Sequence, residues 1–152
     1  MSFFDAISIA ASGLTAERTR MDVTSENLAN ANTTQGANGQ PYQRQEVVLQ
    51  QVGGGGGFNA ALSSAMGSSA MGGGPVAGGV QVSGIVNDPT PDQEVYDPGN
   101  PAANAQGYVK MPNVNSVNEM VDMIDESRSY QADVTAMTTA KQMYEKTLDL
   151  LK

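Results

Sequence analysis

Apolar residues recur with a regular spacing near the N-terminus of the chain. Ile7, Leu14, Met21 and Leu28 form an unbroken heptad series. One further seam position lies between each pair of them, so that the seam advances by alternating steps of three and four residues. A mean spacing of 3.5 residues is typical of the narrow seam of a coiled coil rather than of a broad globular face. The pattern predicts one helix from about residue 2 to residue 30, roughly 40 Å long.

The C-terminal segment repeats this spacing over a longer stretch. Its seam positions are Met120, Met123, Tyr130, Val134, Met137, Tyr144, Leu148 and Leu151. The tetrapeptide Ser116-Val117-Asn118-Glu119 is typical of a capping box, in which the serine caps the helix and the glutamate reaches back to it. The pattern predicts a second helix over residues 116–152, roughly 55 Å long.

Short alternating runs between the helices predict β-strands at 42–52 and 79–86, with a further extended run at 108–110. Four prolines predict turns before that last run: Pro89, Pro91, Pro98 and Pro101. Residues 53–79 hold eleven of the seventeen glycines, with few side chains to offset the entropy of ordering them, which predicts a flexible loop. A phosphate-binding loop is not expected there, because Gly57 is not followed by the required lysine and hydroxyl residue.

Together these elements predict a mainly α protein. Its long N- and C-terminal helices pair as a coiled-coil-like hairpin, with a small β-hairpin-rich, partly disordered middle segment. The helical core domain takes residues 1–34 and 116–152, and the β-rich insert takes residues 35–115. A seam of two positions in seven buries little apolar surface. Each Å² that is buried stabilises the pair by only ~25 cal/mol, whereas ordering the backbone costs ~1–2 kcal/mol per residue. We therefore expect helices of other chains to complete the pair.

Composition and charge restrict the possible chemistry. The chain carries 16 acidic and 8 basic side chains, a net charge of −8, which disfavours nucleic-acid binding. It contains no cysteine or histidine, which excludes disulfides, imidazole catalysis and metal sites built from these residues. No run approaches the ~20 apolar residues of a membrane span, and the N-terminus lacks the basic region of a signal peptide. We expect neither membrane insertion nor a cleaved signal peptide.

Two groups of carboxylates are the remaining candidates for chemistry. The first, in the proline-rich stretch, offers hard oxygen ligands for Ca²⁺ without EF-hand spacing, and comprises Asp88, Asp92, Glu94 and Asp97. The second lies near the start of the last helix, where the helix dipole favours acids, and comprises Asp122, Asp125 and Glu126. Neither group has an evident partner for acid–base catalysis. We expect no catalytic residue, no metal site and no cofactor.

Local motifs along the chain resemble one bacterial family, the flagellar axial proteins, which comprises rod, hook and hook-associated subunits. The residues that match its N-terminal signature are Ser12, Gly13, Leu14, Asn27, Leu28, Ala29, Asn30 and Thr33. Within that family, six further segments look like the proximal rod subunits: 39–45, 84–89, 96–101, 107–115, 119–124 and 127–130. The chain departs from the family pattern in its glycine-rich stretch 53–79. The residues after Thr33 also differ from those of the distal rod and hook relatives.

The resemblance implies a structural subunit of the proximal rod, polymerised through its terminal helices into the periplasmic drive shaft that transmits motor torque to the hook. It implies as partners other copies of the chain, other proximal and distal rod subunits, the rod-base adaptor and the flagellar type III export apparatus. That apparatus exports such chains without a cleaved signal peptide. The side-chain amides of Asn27 and Asn30 are expected to satisfy backbone groups where the first helix ends.

Three other functions remain compatible with the sequence. One is a different axial subunit of the same flagellar structure, which crosslinking to its neighbours would distinguish. A second is a soluble binding module whose β-rich insert recognises a ligand and whose helices dimerise, which deletion of 53–79 would disturb. The third is an enzyme that uses the acidic loop, which alanine substitutions at Asp92 and Asp97 would expose.

Overall fold

The computed structural model describes residues 3–36, 38–52 and 78–149. Two long helices, α1 (Phe3–Ala29) and α2 (Ser116–Asp149), confirm both helices predicted from the heptad spacing. Most of the glycine-rich stretch for which a flexible loop is predicted, residues 53–77, lies outside the described residues, as does the seam residue Leu151.

Four strands lie between the helices, and they form two two-stranded sheets. The first sheet pairs β1 (Gln45–Gln51) with β2 (Val80–Asn87). β1 lies inside the predicted stretch 42–52, and β2 ends one residue beyond the predicted stretch 79–86. At one end of the pair the Asp88 N–H donates to the Arg44 carbonyl (2.8 Å), and at the other the Val52 N–H donates to the Gly79 carbonyl (2.7 Å). The two strands are therefore antiparallel.

The second sheet pairs β3 (Gln93–Tyr96) with β4 (Tyr108–Met111) in antiparallel register. Tyr96 stands opposite Tyr108, and their rings meet edge to face with centroids 5.3 Å apart. The prediction of turns throughout the proline-rich stretch was wrong for β3. The strand has only four residues between Pro91 and Pro98, too few for an alternating pattern to be read.

The N-terminus of α2 is capped by Asn115 rather than by Ser116. The Asn115 side-chain oxygen accepts hydrogen bonds from the N–H groups of Val117 (3.0 Å) and Asn118 (3.3 Å), and its carbonyl accepts from Glu119 (3.0 Å). The predicted capping box was therefore wrong by one residue. Glu119, which would have completed that box, turns instead towards Arg44 and Asn27.

Substitutions at Asn115 and Ser116 distinguish which of the two residues caps α2. We expect Asn115→Ala to lower the free energy of unfolding by about 1 kcal/mol, because the first N–H groups of α2 lose their acceptor. Ser116→Ala should change it by less than about 0.5 kcal/mol. Urea denaturation followed by circular dichroism measures both, and equal losses from the two variants would contradict the assignment of Asn115 as the cap.

The chain divides into two compact units: the first comprises Met1–Glu17, Leu49–Ser83 and Ser129–Lys152, and the second comprises Arg18–Val48 and Gly84–Arg128. Both helices and the first sheet contribute residues to each unit. Within the first unit, the buried Ala16 lies on α1. Neither described helix combines the length and the apolar character needed to cross a membrane.

The interior of the second unit is as polar as it is apolar. Its buried apolar side chains are Val23, Ala31, Val109, Pro112 and Val114. Alongside them the unit buries four side chains that carry polar or charged groups, Thr24, Asn27, Glu119 and Glu126. Because buried polar groups are tolerated only when they are hydrogen-bonded, the partners of these four decide how the unit holds together.

Candidate functional site

Among the described residues, the largest fully buried side chain is an acid, Glu119, in the first turn of α2, with 1% of its surface exposed. Arg44 donates from Nε to Glu119 Oε1 at 2.6 Å, and Asn27 donates from Nδ2 to Glu119 Oε2 at 3.1 Å. Each carboxylate oxygen therefore has a donor, one of them charged. The acid ties the start of α2 to α1 and to the residue that precedes β1.

Asn27 uses its complete hydrogen-bonding capacity. Its Nδ2 donates to the Gln45 carbonyl (2.9 Å) as well as to Glu119, and its Oδ1 accepts from the Tyr42 hydroxyl (2.9 Å) and the Gln45 N–H (2.9 Å). An amide side chain has two N–H donors and two acceptor lone pairs, so every position is occupied. Asn27 thus joins α1, the segment before β1, β1 itself and α2.

Four carboxylates surround the guanidinium of Arg44. Besides the bond to Glu119, Nη1 pairs with Glu46 and lies 3.6 Å from Asp88 Oδ2, and Nη2 lies 3.6 Å from Asp122 Oδ2. Burial works against the positive charge, but the hydrogen bond and the negative charge of Glu119 outweigh it and raise the pKa of Arg44. We call the six residues Asn27, Tyr42, Arg44, Asp88, Glu119 and Asp122 the polar network.

The acidic stretch considered for calcium is spread over several local structures. Asp88 Oδ1 accepts from the Thr90 hydroxyl (2.6 Å) and the Thr90 N–H (2.8 Å), and these bonds, with the nearby Arg44, lower the pKa of Asp88. Asp97 accepts from the Gly99 N–H, and Glu94 lies on β3. Among the residues that the structure describes, no three acidic side chains are grouped so as to hold a metal ion.

The acids of α2 have different partners. Glu126, with 5% of its surface exposed, accepts from the Thr24 hydroxyl at 3.1 Å and lies 3.6 Å from Arg20 Nε. Asp122 lies beside Arg44, and Asp125 is exposed. Their contacts are those of a helix that faces α1 with acids, and Asp122 and Glu126 each lie beside an arginine rather than beside each other as an acid–base pair.

Tyr42 makes the polar network sensitive to alkaline pH. Burial, with the negative charges of Glu26 and Glu119, raises the pKa of Tyr42 from 10.0 to about 12. Over this interval the unfolded chain releases the phenol proton while the folded chain keeps it. The stability that this proton contributes is complete below about pH 10 and is lost as the pH rises to about 12.

We therefore expect the melting temperature of the chain to fall more steeply between pH 10 and 12 than that of a Tyr42→Phe variant. The variant is less stable at neutral pH, because it lacks the hydrogen bond to Asn27, but it has no phenol to titrate. Thermal melts across this range measure both slopes. Parallel curves for the two proteins would contradict the pKa assigned to Tyr42.

The residues of the family signature have defined positions in the first unit and at the end of α1. The Ser12 hydroxyl donates to the Ile9 carbonyl (2.7 Å) and accepts from the Val80 N–H (3.0 Å). A side chain at Gly13 would place its Cβ 2.8 Å from Asp133 Oδ2, so glycine is what allows that acid to approach the helix.

Asn30 and Thr33 form the turn that follows α1. The Asn30 side chain donates from Nδ2 to the Glu26 carbonyl (3.0 Å), in the last turn of the helix, and accepts from the Thr33 hydroxyl (3.2 Å). Asn30 therefore bonds a carbonyl at the helix end, whereas Asn27 bonds to Gln45, Tyr42 and Glu119. Ala29 is exposed, and Leu28 is half-buried.

The predicted seam residues differ in their exposure. Half-buried positions on α1 are Ile7, Leu14, Met21 and Leu28, and those on α2 are Met123, Tyr130 and Met137. Exposed positions on α2 are Met120, Val134, Tyr144 and Leu148. The sequence interpretation missed Tyr42, Arg44 and the burial of Glu119, because their partners lie far away along the chain.

An apolar surface covers the side of α2 that is turned away from Glu119. Val117, Met120, Val121 and Ile124 are 65%, 47%, 52% and 53% exposed. At 3.6 residues per turn these four side chains fall within an arc of about 100°. We call them the outer apolar face. Contiguous exposed apolar surface of this kind marks sites of interaction between proteins.

Two family models match the two ends of the chain. A family model described as "Flagella basal body rod protein" matches residues 7–38, which cover most of α1 and the turn after it. A second, described as "Flagellar basal body rod FlgEFG protein C-terminal", matches residues 105–150, which cover β4 and α2.

Curated relatives extend the match over the whole chain. The flagellar basal-body rod protein FlgC of Bacillus subtilis is 45% identical over 156 residues, with 100% of both chains covered. FlgC of Escherichia coli O6:H1 is 44% identical over 150 residues, covering 99% of this chain and 98% of the relative. FlgC of Borreliella burgdorferi is 36% identical over 156 residues, covering 100% and 99%. The resemblance seen in the sequence motifs is thus confirmed, and the chain belongs to the FlgC family of structural subunits of the flagellar basal-body rod.

Proposed function

We propose that this chain forms the proximal part of the rod and polymerises there through its terminal helices. In this position it contributes to the periplasmic drive shaft that transmits motor torque to the hook. The observation that carries the proposal is the outer apolar face of α2, whose four side chains remain 47–65% exposed. A chain that acted alone would gain stability by covering them.

The energy available from this face favours assembly. Burying an apolar side chain completely contributes ~1.5–3 kcal/mol, so covering these half-exposed residues would contribute about 1 kcal/mol each. Several such faces, repeated around a polymer, would offset the loss of freedom on association. We infer that the face packs against helices of neighbouring rod subunits.

The helical core, residues 1–34 and 116–152, is proposed as the polymerising part, and residues 35–115 as its insert. We infer that its two helices pair as a coiled-coil-like hairpin. Side-chain contacts in the second unit support this pairing, namely those of Asn27 with Glu119 and of Arg20 with Glu126. The half-buried seam residues Met123, Tyr130 and Met137 are proposed to contribute to the same helical layer.

We further propose that the neighbours of the chain are other copies of itself, the other proximal and distal rod subunits and the rod-base adaptor. The flagellar type III export apparatus would deliver it without removal of a signal peptide. Mass spectrometry of the chain from purified basal bodies should find its N-terminal peptide intact, and a chain cut within α1 would contradict the proposal.

The relatives are named as rod proteins, and we infer that this chain has no catalytic activity. Every donor and acceptor of Asn27 and both carboxylate oxygens of Glu119 have partners within the chain, which supports a structural role for the polar network. Such groups hold elements together.

Deletion of the gene in the native organism tests the rod assignment. We expect cells that lack the chain to have membrane rings but no hooks, and to recover hooks and swimming when the unaltered gene is restored. Electron microscopy of purified basal bodies, with detection of the chain in them, measures both. Normal hooks in the deletion strain would overturn the proposal.

A further inference from the structure

We propose that Glu119 and Glu126 fix the rotation of α2 about its own axis, and thereby keep the outer apolar face turned away from α1. The use of that face in assembly rests on the function proposed above. The rotation itself is a property of the isolated chain and can be measured there.

The positions of the two acids define one side of α2. They are seven residues apart, so they project from the helix within about 20° of each other. Their partners on α1, Asn27 for Glu119 and Arg20 for Glu126, are also seven residues apart and run in the opposite order. The contacts therefore specify an antiparallel pair in one register, with the acids facing inwards.

A third acid follows at the same spacing in the first unit. Asp133 comes seven residues after Glu126, and its Oδ2 lies 2.8 Å from the point where a Cβ of Gly13 would stand. Gly13 itself comes seven residues before Arg20. The same side of α2 is thus acidic where it meets α1 in each unit.

Hydrophobicity alone would favour a different rotation. Met120 and Ile124 lie on the outer apolar face, and turning α2 by more than about 100° would bring that face against α1 and bury it. The turn would also remove Glu119 from Asn27 and Arg44. Asn27, which is 1% exposed, would then keep its bonds to Tyr42 and Gln45 but lose the acceptor of one Nδ2 N–H, at a cost of about 1–3 kcal/mol for that buried donor.

Buried polar contacts commonly select one register or orientation at the expense of some stability. In this chain, the orientation that the buried acids select for α2 leaves apolar residues exposed. The acids hold α2 in the rotation in which its apolar side chains stay accessible to other subunits.

The absence of cysteine from the chain makes the test direct. A single cysteine is introduced by Ile124→Cys, and the rate of thiol labelling is measured on the full-length chain at high dilution. In a chain with both acids, the thiol on the exposed face reacts fast. In the Glu119→Leu/Glu126→Leu background, we expect labelling to slow about tenfold or more while helix content is retained, because α2 turns its apolar face inwards.

The conservative Glu119→Gln/Glu126→Gln background is the matched control. Glutamine keeps the side-chain length and one oxygen that can accept from Asn27 or Thr24. Its NH2 group cannot accept from Arg44, so stability falls, but where helix content is retained the labelling rate should stay within about twofold of the starting rate. Swimming should be retained by the glutamine variant and lost by the leucine variant.

An unchanged labelling rate in the leucine background, with helix content intact, would overturn the proposal. If the leucine variant loses its helices, Glu126→Leu alone is measured, and a slower rate is again expected. If that variant is also unfolded, the acids are needed for folding itself and the proposal is wrong. A deletion strain that still builds hooks would contradict the proposed rod function. It would not affect the labelling test, which measures the rotation of α2 in the isolated chain.

Discussion

We expect an Ile124→Asp substitution to stop swimming while leaving the isolated chain folded. Ile124 lies at the centre of the outer apolar face and is 53% exposed, so a carboxylate there stays in water as long as the chain is alone. Against a neighbouring helix the same charge would have to be buried without a partner, at a cost of several kcal/mol. Swim-plate diameter and the yield of hooks measure the loss, and circular dichroism measures the retained helix content.

A control variant with the same added charge shows whether the loss of motility depends on the outer apolar face or follows from any added charge on α2. Ser129→Asp places a carboxylate at another exposed position of α2, roughly 140° from Ile124 around the helix. Cells that carry Ser129→Asp should therefore swim farther than cells that carry Ile124→Asp. Equal motility of the two variants, or normal swimming of Ile124→Asp, would exclude the outer apolar face as an assembly surface.

The second large effect is expected at Arg44. Replacing it by methionine keeps the aliphatic stem but leaves Glu119 buried with one neutral donor, Asn27, in place of a charged one. Breaking a buried ion pair from one side costs about 3–5 kcal/mol, which is a large part of the stability of a small domain. Urea denaturation should show this loss in the unfolding transition of the chain.

Two further variants test the reason for that loss. Arg44→Met/Glu119→Leu removes both charges and should recover a large share of the stability, because the uncompensated charge is then absent. Lys141→Met breaks an exposed pair, in which Nζ and the Glu145 carboxylate are 3.8 Å apart, and should change the free energy by less than about 0.5 kcal/mol. A double variant no more stable than Arg44→Met would show that the packing of Arg44, and not its charge, is what matters.

The helices could be predicted from the sequence because their signal is repeated over about thirty residues each. The cap of α2 could not be placed to one residue, since Asn115, Ser116 and Asn118 are all good capping residues and only the hydrogen bonds choose among them. β3 was missed because a four-residue strand between prolines carries no period.

The polar network was missed for a different physical reason. Glu119 bonds to Arg44 and Asn27, which are 75 and 92 residues away in the sequence, so no local pattern reports these contacts. An acid in the first turn of a helix is well explained by capping and by the helix dipole, and that local explanation conceals a buried ion pair.

The periodicity of the sequence also could not predict the orientation of α2. Heptad spacing identifies which residues share a face, but the direction of that face follows from the assumption that apolar residues point inwards. Glu119 and Glu126 point inwards instead, while Met120 and Ile124 stay exposed. Which seam positions contact neighbouring subunits stays a prediction.

The polar network also determines when the chain can fold. Asn27 and Arg44 are synthesised early, but the acid that joins them is residue 119, so the second unit cannot close until more than three-quarters of the chain is available. Contacts this distant in sequence close slowly, because a long segment must be ordered first. The second unit of a nascent chain would therefore stay open until residue 119 is available, and an open chain would suit the export route proposed above.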